Sequence, residues 1–346
     1  MNAQSEISHP ILSVRNLRTA FETNDGSVEA VRGVSFDLRH KEVLGIVGES
    51  GSGKTVTAMS ILRLLPPNGF ITGGEILFDG SDLTKMKTGS LRRVRGDRIA
   101  MVFQDPMTSL NPLMPIGGQI EEMIREHRRG MSASDVKAEV LRLLKLVSIP
   151  EPEARYNTYP HEFSGGMRQR ATIAMAIACE PDILIADEPT TALDVTIQEQ
   201  ILILLENLRD RLAMSVMFIT HDLGVVAELC TRVIVMYGGM IMEEGSTADI
   251  FERPMHPYTA GLLASVPNLA SDKGQKLSSI SGSPPDMTHP PAGCPYSPRC
   301  ENARNLCGAY VPPLFEAGGE RRSSCWLLAP EAPSGGNPFK AGGRNG

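Results

Sequence analysis

Val43-Leu-Gly-Ile-Val-Gly-Glu-Ser-Gly-Ser-Gly-Lys-Thr55 is the stretch that decides the fold. Val43–Val47 is an unbroken apolar run, the pattern of a strand buried on both faces of a sheet. Gly48–Thr55 fits G-x-x-x-x-G-K-[ST] at every position, and Val56–Leu65 reads as a helix stopped by Pro66-Pro67. Strand, glycine loop and helix in this order make a phosphate cradle. Gly48, Gly51 and Gly53, with Ser50 and Ser52 between them, let backbone N–H groups turn toward phosphate oxygens, and the helix N-terminus adds a favourable dipole. Lys54 is expected on the β- and γ-phosphates and the Thr55 hydroxyl on Mg²⁺. The implied ligand is a nucleoside triphosphate.

Outward from this loop, Leu12–Leu17 and Val34–Leu38 alternate as short strands. From Pro106 to Glu162 the character changes. Ser134–Val147 is an amphipathic helix with Val136, Val140, Leu143, Leu144 and Val147 on one face, inside a helical insertion over about 106–165. Apolar strands return at Ile183–Ala186 and Val216–Thr220 with a helix, Thr196–Leu212, between them. Val233–Tyr237 and Gly239–Glu244 form a hairpin-like pair. Beyond Pro254 the composition shifts to Pro, Gly, Ser and Cys, and 268–346 looks loop-rich. No internal repeat is present, so one nucleotide-binding unit per chain is expected.

At 346 residues and 41% hydrophobic content the chain supports one large domain and a smaller one. A net charge of −6 over a mixed surface offers no basic footprint, so no nucleic acid is expected as a partner. No apolar run approaches the roughly 18 residues a membrane span needs. Met1-Asn-Ala-Gln-Ser-Glu6 lacks the basic-then-apolar pattern of a signal peptide, and a soluble cytoplasmic chain is the expectation.

Phe163-Ser-Gly-Gly-Met-Arg-Gln-Arg170 begins 115 residues after the start of the phosphate loop and ends 13 residues ahead of Ile183-Leu-Ile-Ala-Asp-Glu188. It adds a second phosphate-binding surface, which one nucleotide does not need. Two copies or relatives meeting face to face, each completing the other's site, explain it. Asp187 ends an apolar strand, which puts its carboxylate at the sheet edge where ligands bind. Glu188 is next, and adjacent strand residues point to opposite faces, so the two carboxylates should do different work.

On these motifs the chain resembles the ABC-type ATPases. That resemblance implies an α/β phosphate-loop fold with a mixed or parallel sheet core, an antiparallel β subdomain and a helical insertion, over residues 7–256. It implies that Asp187 supports Mg²⁺ and that Glu188 polarises the attacking water as general base. Gln104, before Asp105-Pro106, matches the family's Q-loop, whose amide reaches Mg²⁺ and water. His221 falls where the family keeps a switch histidine bonded to the γ-phosphate or water, and Asp194 matches the loop that crosses to the partner. Ser164, Gly165 and Gly166 are the donors to the γ-phosphate of the partner's ATP; Met167 replaces the commoner glutamine. Phe21 lies where the family places an aromatic on the adenine.

His256-Pro-Tyr-Thr259, Gly282-Ser-Pro-Pro285 and Gly293-Cys-Pro-Tyr-Ser-Pro-Arg-Cys300 resemble the C-terminal extension of the oligopeptide and dipeptide permease ATPases, the D-type subunit most closely. The extension is expected over 257–330, with a flexible tail at 331–346. Cys294, Cys300, Cys307 and Cys325 are spaced C-x5-C-x6-C-x17-C. Disulfides do not suit a reducing cytoplasm. Free thiols or a four-thiolate metal site remain, and the spacing alone does not choose between Zn²⁺ and [4Fe–4S]. The resemblance favours the iron–sulfur cluster. It also implies an ATP-hydrolysing subunit, peripheral on the cytoplasmic face of a bacterial inner membrane. Its partners are a homologous second ATPase subunit in a heterodimer, two transmembrane permease subunits and an extracytoplasmic solute-binding protein. Di- or oligopeptides are the expected cargo; nickel, an opine or an oligosaccharide is the alternative, and a non-transport ABC ATPase the more distant one.

Overall fold

Leu12–Thr23 and Gly69–Phe78 pair antiparallel, from Leu12 opposite Phe78 to Phe21 opposite Gly69, with irregularities around Arg15 and Arg18. Gly26–Leu38 and the short Ser81–Asp82 flank them, giving a four-stranded sheet. Its inward residues Val14, Leu17, Val34, Phe36 and Ile76 are fully buried, each worth about 1.5–3 kcal/mol by transfer from water. The computed structural model describes residues 9–24, 26–191, 193–265 and 280–329. The expected tail at 331–346 lies outside the described residues.

The chain divides into two compact units. One contains Leu12–Asp37, Leu44–Thr84 and the described residues from Thr220 onward. Besides the antiparallel sheet it holds the strand Val43–Val47, parallel to Arg232–Tyr237 in register Leu44 to Arg232 through Val47 to Val235. Met240–Ser246 turns back antiparallel on Arg232–Tyr237. The expected hairpin is therefore present, but its second strand begins at Met240, because Gly238 and Gly239 form the turn with φ of 53° and 76°. Arg322–Ser323 then pairs with Glu243 and Glu244, and Phe315–Glu316 pairs with Arg322–Ser323. The loop-rich C-terminal region thus contributes two short strands to this sheet.

The other unit contains Leu38–Val43 and Lys85–Ile219. Ile99–Val102, Ile183–Asp187 and Ser215–Thr220 run parallel. Ile116–His127, Ala133–Leu146, Gly165–Ala176 and Val195–Leu212 are its long helices. Ala133–Leu146 matches the amphipathic expectation within a residue at each end: Ser132 caps it and Val136, Val140, Leu143 and Leu144 are buried. Among the described residues no helix is long and apolar enough to cross a membrane.

The helix after the phosphate loop is Lys54–Ile61, shorter at its C-terminus than the pattern predicts. Arg63 adopts a left-handed conformation, φ 50°, which ends the helix ahead of Pro66. Asp187 closes its strand, whereas Glu188 has φ 47° and lies in a turn. The strand alternation expected to separate the two carboxylates therefore does not extend to Glu188, which follows the strand.

Candidate functional site

The phosphate loop is built by close approach. Gly48 has φ 153°, and a Cβ there would lie 2.1 Å from the Met236 carbonyl oxygen, so no other residue fits. Lys54, 5% exposed, donates from Nζ to the Gly48 and Glu49 carbonyls at 2.7 and 3.0 Å. Gly53, φ 98°, sits at the helix N-cap with no side-chain cap, which leaves the first-turn N–H groups available to an anion. The Ser52 hydroxyl is buried without a hydrogen-bond partner. An orphaned buried hydroxyl beside an uncapped helix N-terminus fits a polyphosphate. Ser50, Gly51 and Thr55 are exposed, so the Thr55 hydroxyl is accessible for Mg²⁺. Phe21 lies in the same unit, its ring filling the space over Gly69, where a Cβ would come within 2.6 Å of it. His221, also exposed, follows Ser215–Thr220 and precedes Leu223–Leu229, which Asp222 caps.

The carboxylate groups lie in the other unit. Asp187 is 2% exposed at its strand end. The Glu188 backbone N–H donates to the Ile219 carbonyl at 2.8 Å, which fixes its turn to the neighbouring strand. Its Oε2 accepts from Gln104 Nε2 at 3.0 Å and from the Thr191 hydroxyl at 2.8 Å. Gln104 and Glu188, 84 positions apart, are thereby brought into contact. Thr191 has no assigned role in the sequence motifs, although it lies three residues beyond Glu188 and three ahead of Asp194.

Ser164 caps the helix Gly165–Ala176, accepting from the Met167 N–H at 3.3 Å, and Ser164 and Gly165 are exposed. Asp194 caps Val195–Leu212 by accepting from the Ile197 N–H at 3.0 Å. The two helices touch where Gly166 meets Ile197: a Cβ on Gly166 would lie 2.7 Å from Ile197 Cγ2. Ser164, Gly165 and Asp194, all exposed, thus place two serine- and aspartate-capped helix starts at the surface. Val195 is 83% exposed next to them. Arg168 and Arg170 are spent on structure, donating to the Pro160, Phe163 and Val147 carbonyls.

The four C-terminal cysteines converge. Cys294, Cys300, Cys307 and Cys325, with His256 and Trp326, line one apolar cavity of about 20 Å³. All four are free thiols. Burial, and to a lesser degree the neighbouring sulfurs, push Cys294 up to about 11 and Cys325 up to about 12; Cys300 also moves up. Four soft sulfurs around one cavity fit a thiolate-held metal by donor chemistry. Among the described residues, no group of three or more His, Cys, Asp or Glu side chains is arranged to hold a metal ion. The expected [4Fe–4S] or Zn²⁺ site is therefore present as a convergence of thiols, not as a closed coordination shell.

Comparison with known proteins agrees with this geometry. Residues 31–191 match the family described as ABC transporter, and residues 242–307 match the oligopeptide/dipeptide transporter C-terminal region. The chain is 51% identical over 324 residues to the oligopeptide transport ATP-binding protein OppD of Bacillus subtilis (strain 168), covering 93% of this chain and 90% of that protein. It is 52% identical over 318 residues to the dipeptide transport ATP-binding protein DppD of the same organism, covering 92% and 94%. Among solved structures, the dimeric bacterial ABC transporter cassette MJ0796 superposes with a TM-score of 0.62 at 30% identity, over 68% of this chain and 98% of that one. The same cassette is known as a dimer in a post-hydrolysis state bound to ADP and Pi. With a complete phosphate loop, a turn-held glutamate and a half-identical set of relatives along nine-tenths of its length, this chain is an ATPase that belongs to the ABC transporter family and carries that family's oligopeptide/dipeptide transporter C-terminal region.

Proposed function

We propose that this chain is the ATP-hydrolysing subunit of a binding-protein-dependent importer of di- or oligopeptides. The observation that carries the cargo is the roughly half identity, over more than nine-tenths of the chain, to oligopeptide and dipeptide transport ATP-binding proteins. The chain acts at the cytoplasmic face of the membrane, bound to two permease subunits that an external solute-binding protein serves. A homologous second ATPase subunit faces it. Exposed Phe103, Met107 and Leu113, around the start of the helical insertion, suit contact with the permeases.

In this reading the Gly48–Thr55 loop binds the triphosphate, with Lys54 on the β- and γ-phosphates. Thr55, Asp187 and Gln104 serve Mg²⁺, which neutralises charge developing on the transferred phosphoryl group. Glu188, aimed by Gln104 and Thr191, takes the proton of the attacking water, and His221 bonds to the γ-phosphate or that water. Phe21 stacks on the adenine. Ser164, Gly165 and Gly166 donate to the γ-phosphate of the ATP held by the partner subunit, with Asp194 crossing to it. The outward-facing cap of Gly165–Ala176 supports this last assignment. Residues 7–256 form the ATPase domain, with the helical part at about 106–165, and 257–330 the extension.

The four cysteines are proposed to hold a [4Fe–4S] cluster, with Zn²⁺ as the alternative; convergence of four sulfurs on one cavity supports this. Such a group would be structural, tying three loop segments together.

The deciding experiment co-expresses the chain with its candidate permease subunits and second ATPase. ATP hydrolysis stimulated by peptide-loaded binding protein supports the reading. Stimulation only by nickel, opine or oligosaccharide moves the cargo, and hydrolysis indifferent to the permeases ends the transport assignment.

A further inference from the structure

Arg299 lies in the segment between Cys294 and Cys300, and its side chain is only 6% exposed. Every N–H of its guanidinium is used. Nη1 donates to Glu49 Oε2 at 2.7 Å and to the Tyr237 hydroxyl at 3.0 Å. Nη2 donates to Glu49 Oε1 at 3.2 Å and to the Ile280 carbonyl at 3.2 Å, and Nε to the Ser281 carbonyl at 2.9 Å. Glu49 is the second residue of the phosphate loop and its only acidic one. A residue 250 positions away therefore grips the loop with both prongs of a planar fork, a geometry lysine does not reproduce.

The C-terminal region reaches the loop twice more. The Glu49 backbone N–H donates to the Tyr258 hydroxyl at 2.9 Å. Tyr258 is fully buried, its ring 4.5 Å from that of Tyr237 and 5.2 Å from that of Tyr296. Pro295 packs on Gly238, where a Cβ would come within 2.9 Å of it, and the next residue, Gly239, donates its N–H to the Ser52 carbonyl at 3.1 Å. Side chain, backbone and turn of the loop's surroundings are thus all held from beyond residue 237.

An uncompensated carboxylate on a loop that must accept a polyanion repels it. A bidentate guanidinium cancels that charge and fixes the loop before the ligand arrives, which lowers the ordering cost of binding. We propose that the C-terminal region is a wall of the nucleotide site, in which Arg299, with Tyr258, positions the phosphate loop through Glu49, so that ATP affinity depends on this grip. The inference rests on the reading of Gly48–Thr55 as the ATP loop. Arg299 and Tyr258 touch no reacting atom; they are positioning residues. Since the fork issues from the segment bounded by Cys294 and Cys300, a rearrangement of those cysteines is felt at the loop.

The test measures ATP affinity, by displacement of a fluorescent ATP analogue, and steady-state KM and kcat on the full chain. Arg299→Ala is expected to raise Kd and KM about tenfold, the scale of one lost charge-assisted pair, with kcat at saturating ATP within about twofold. Arg299→Lys falls between. Adding Glu49→Gln to Arg299→Ala recovers most of the affinity, because the uncompensated charge is gone. A role in folding alone lowers the melting temperature of Arg299→Ala but leaves Kd unchanged. That result, or a loss that Glu49→Gln does not rescue, overturns the proposal. Should Arg299→Ala not fold, Tyr258→Phe keeps the ring and removes the acceptor; a Kd raised about threefold supports the grip and an unchanged one overturns it. Lys54→Ala separates the premises: ATP affinity surviving that change sinks the loop reading itself.

Discussion

The Gln104 side-chain amide donates to the Glu188 carboxylate at 3.0 Å. Gln104 stands just before the short helix Pro106–Ser109, at the entrance to the helical part of its unit, while Glu188 stands at the end of a central strand. The general-base candidate is therefore bonded to a residue between the strand Ile99–Val102 and the first helix of that part. Thr191 donates to the same carboxylate oxygen at 2.8 Å, so that oxygen is held by two side chains.

Glu188→Gln keeps the size and a hydrogen-bonding oxygen but removes the base. ATP binding is expected to be retained and hydrolysis to fall about 10²–10⁴-fold, the usual contribution of such a group. Phosphate release under saturating ATP measures it, and undiminished turnover would remove Glu188 from the role.

Gly166→Ala places a methyl 2.7 Å from Ile197 Cγ2. Overpacking of this kind costs about 1–3 kcal/mol, and Ile197→Ala in the same chain should return part of it. Urea denaturation of the single and double variants reads the effect; additive losses would show that the two side chains do not meet.

The phosphate loop was legible because its chemistry is local: eight consecutive residues carry it, and the apolar run Val43–Val47 is buried throughout, as its composition demanded. Lys54 and Thr55 stand in that motif, Asp187 is marked by the end of an apolar strand, and the role expected of Glu188 comes from the family resemblance. The helix Gly165–Ala176 was not legible as a helix, because Gly166, Gln169, Ala171, Thr172, Ile173 and Ala174 are all buried and no polar face marks the period. Ile116–His127 carries Gly117 and Gly118 in its first turn after Pro115, which hides its start within the expected helical insertion. The grip of Arg299 on Glu49 was invisible for a different reason. Nothing in either residue's neighbourhood points to a partner 250 positions away, although both stood inside motifs already noticed.

His256 is fully buried, and burial pushes its pKa down to about 3, against a weaker opposing bond to the Ser324 backbone. Its ring nitrogen Nδ1 accepts from the Tyr258 N–H at 3.0 Å, so the neutral form is the one that fits. The unfolded chain binds this proton below about 6.5, the folded chain only near 3, so between these values the unfolded state holds more protons. Stability from this group is complete above about pH 6.5 and declines as pH falls toward 3. His256→Asn, which keeps an acceptor and does not titrate, should flatten the slope of melting temperature against pH in that window. A variant with the same slope as the parent chain would remove His256 as its source.

Anaerobically purified protein is expected to carry iron and absorb near 400 nm if the proposed cluster is bound, and a strong chelator should lower the melting temperature by several degrees. Cys300→Ser should lose the metal. Stoichiometric zinc in a colourless preparation selects the alternative, and no metal at all leaves four structural thiols.

Among the described residues, the strand Met240–Ser246 pairs along one side with Arg232–Tyr237 and on the other only with Arg322–Ser323, at Glu243 and Glu244, where Arg322 also forms an ion pair with Glu244. An exposed sheet edge is a template for pairing with another chain, and a short charged strand laid across it blunts that hazard. In these terms the C-terminal region is an aggregation guard. A chain shortened to end at residue 256 would lose that cover from a mostly buried strand, and self-association through the bared edge is the expected fate of such a fragment whatever becomes of its phosphate loop.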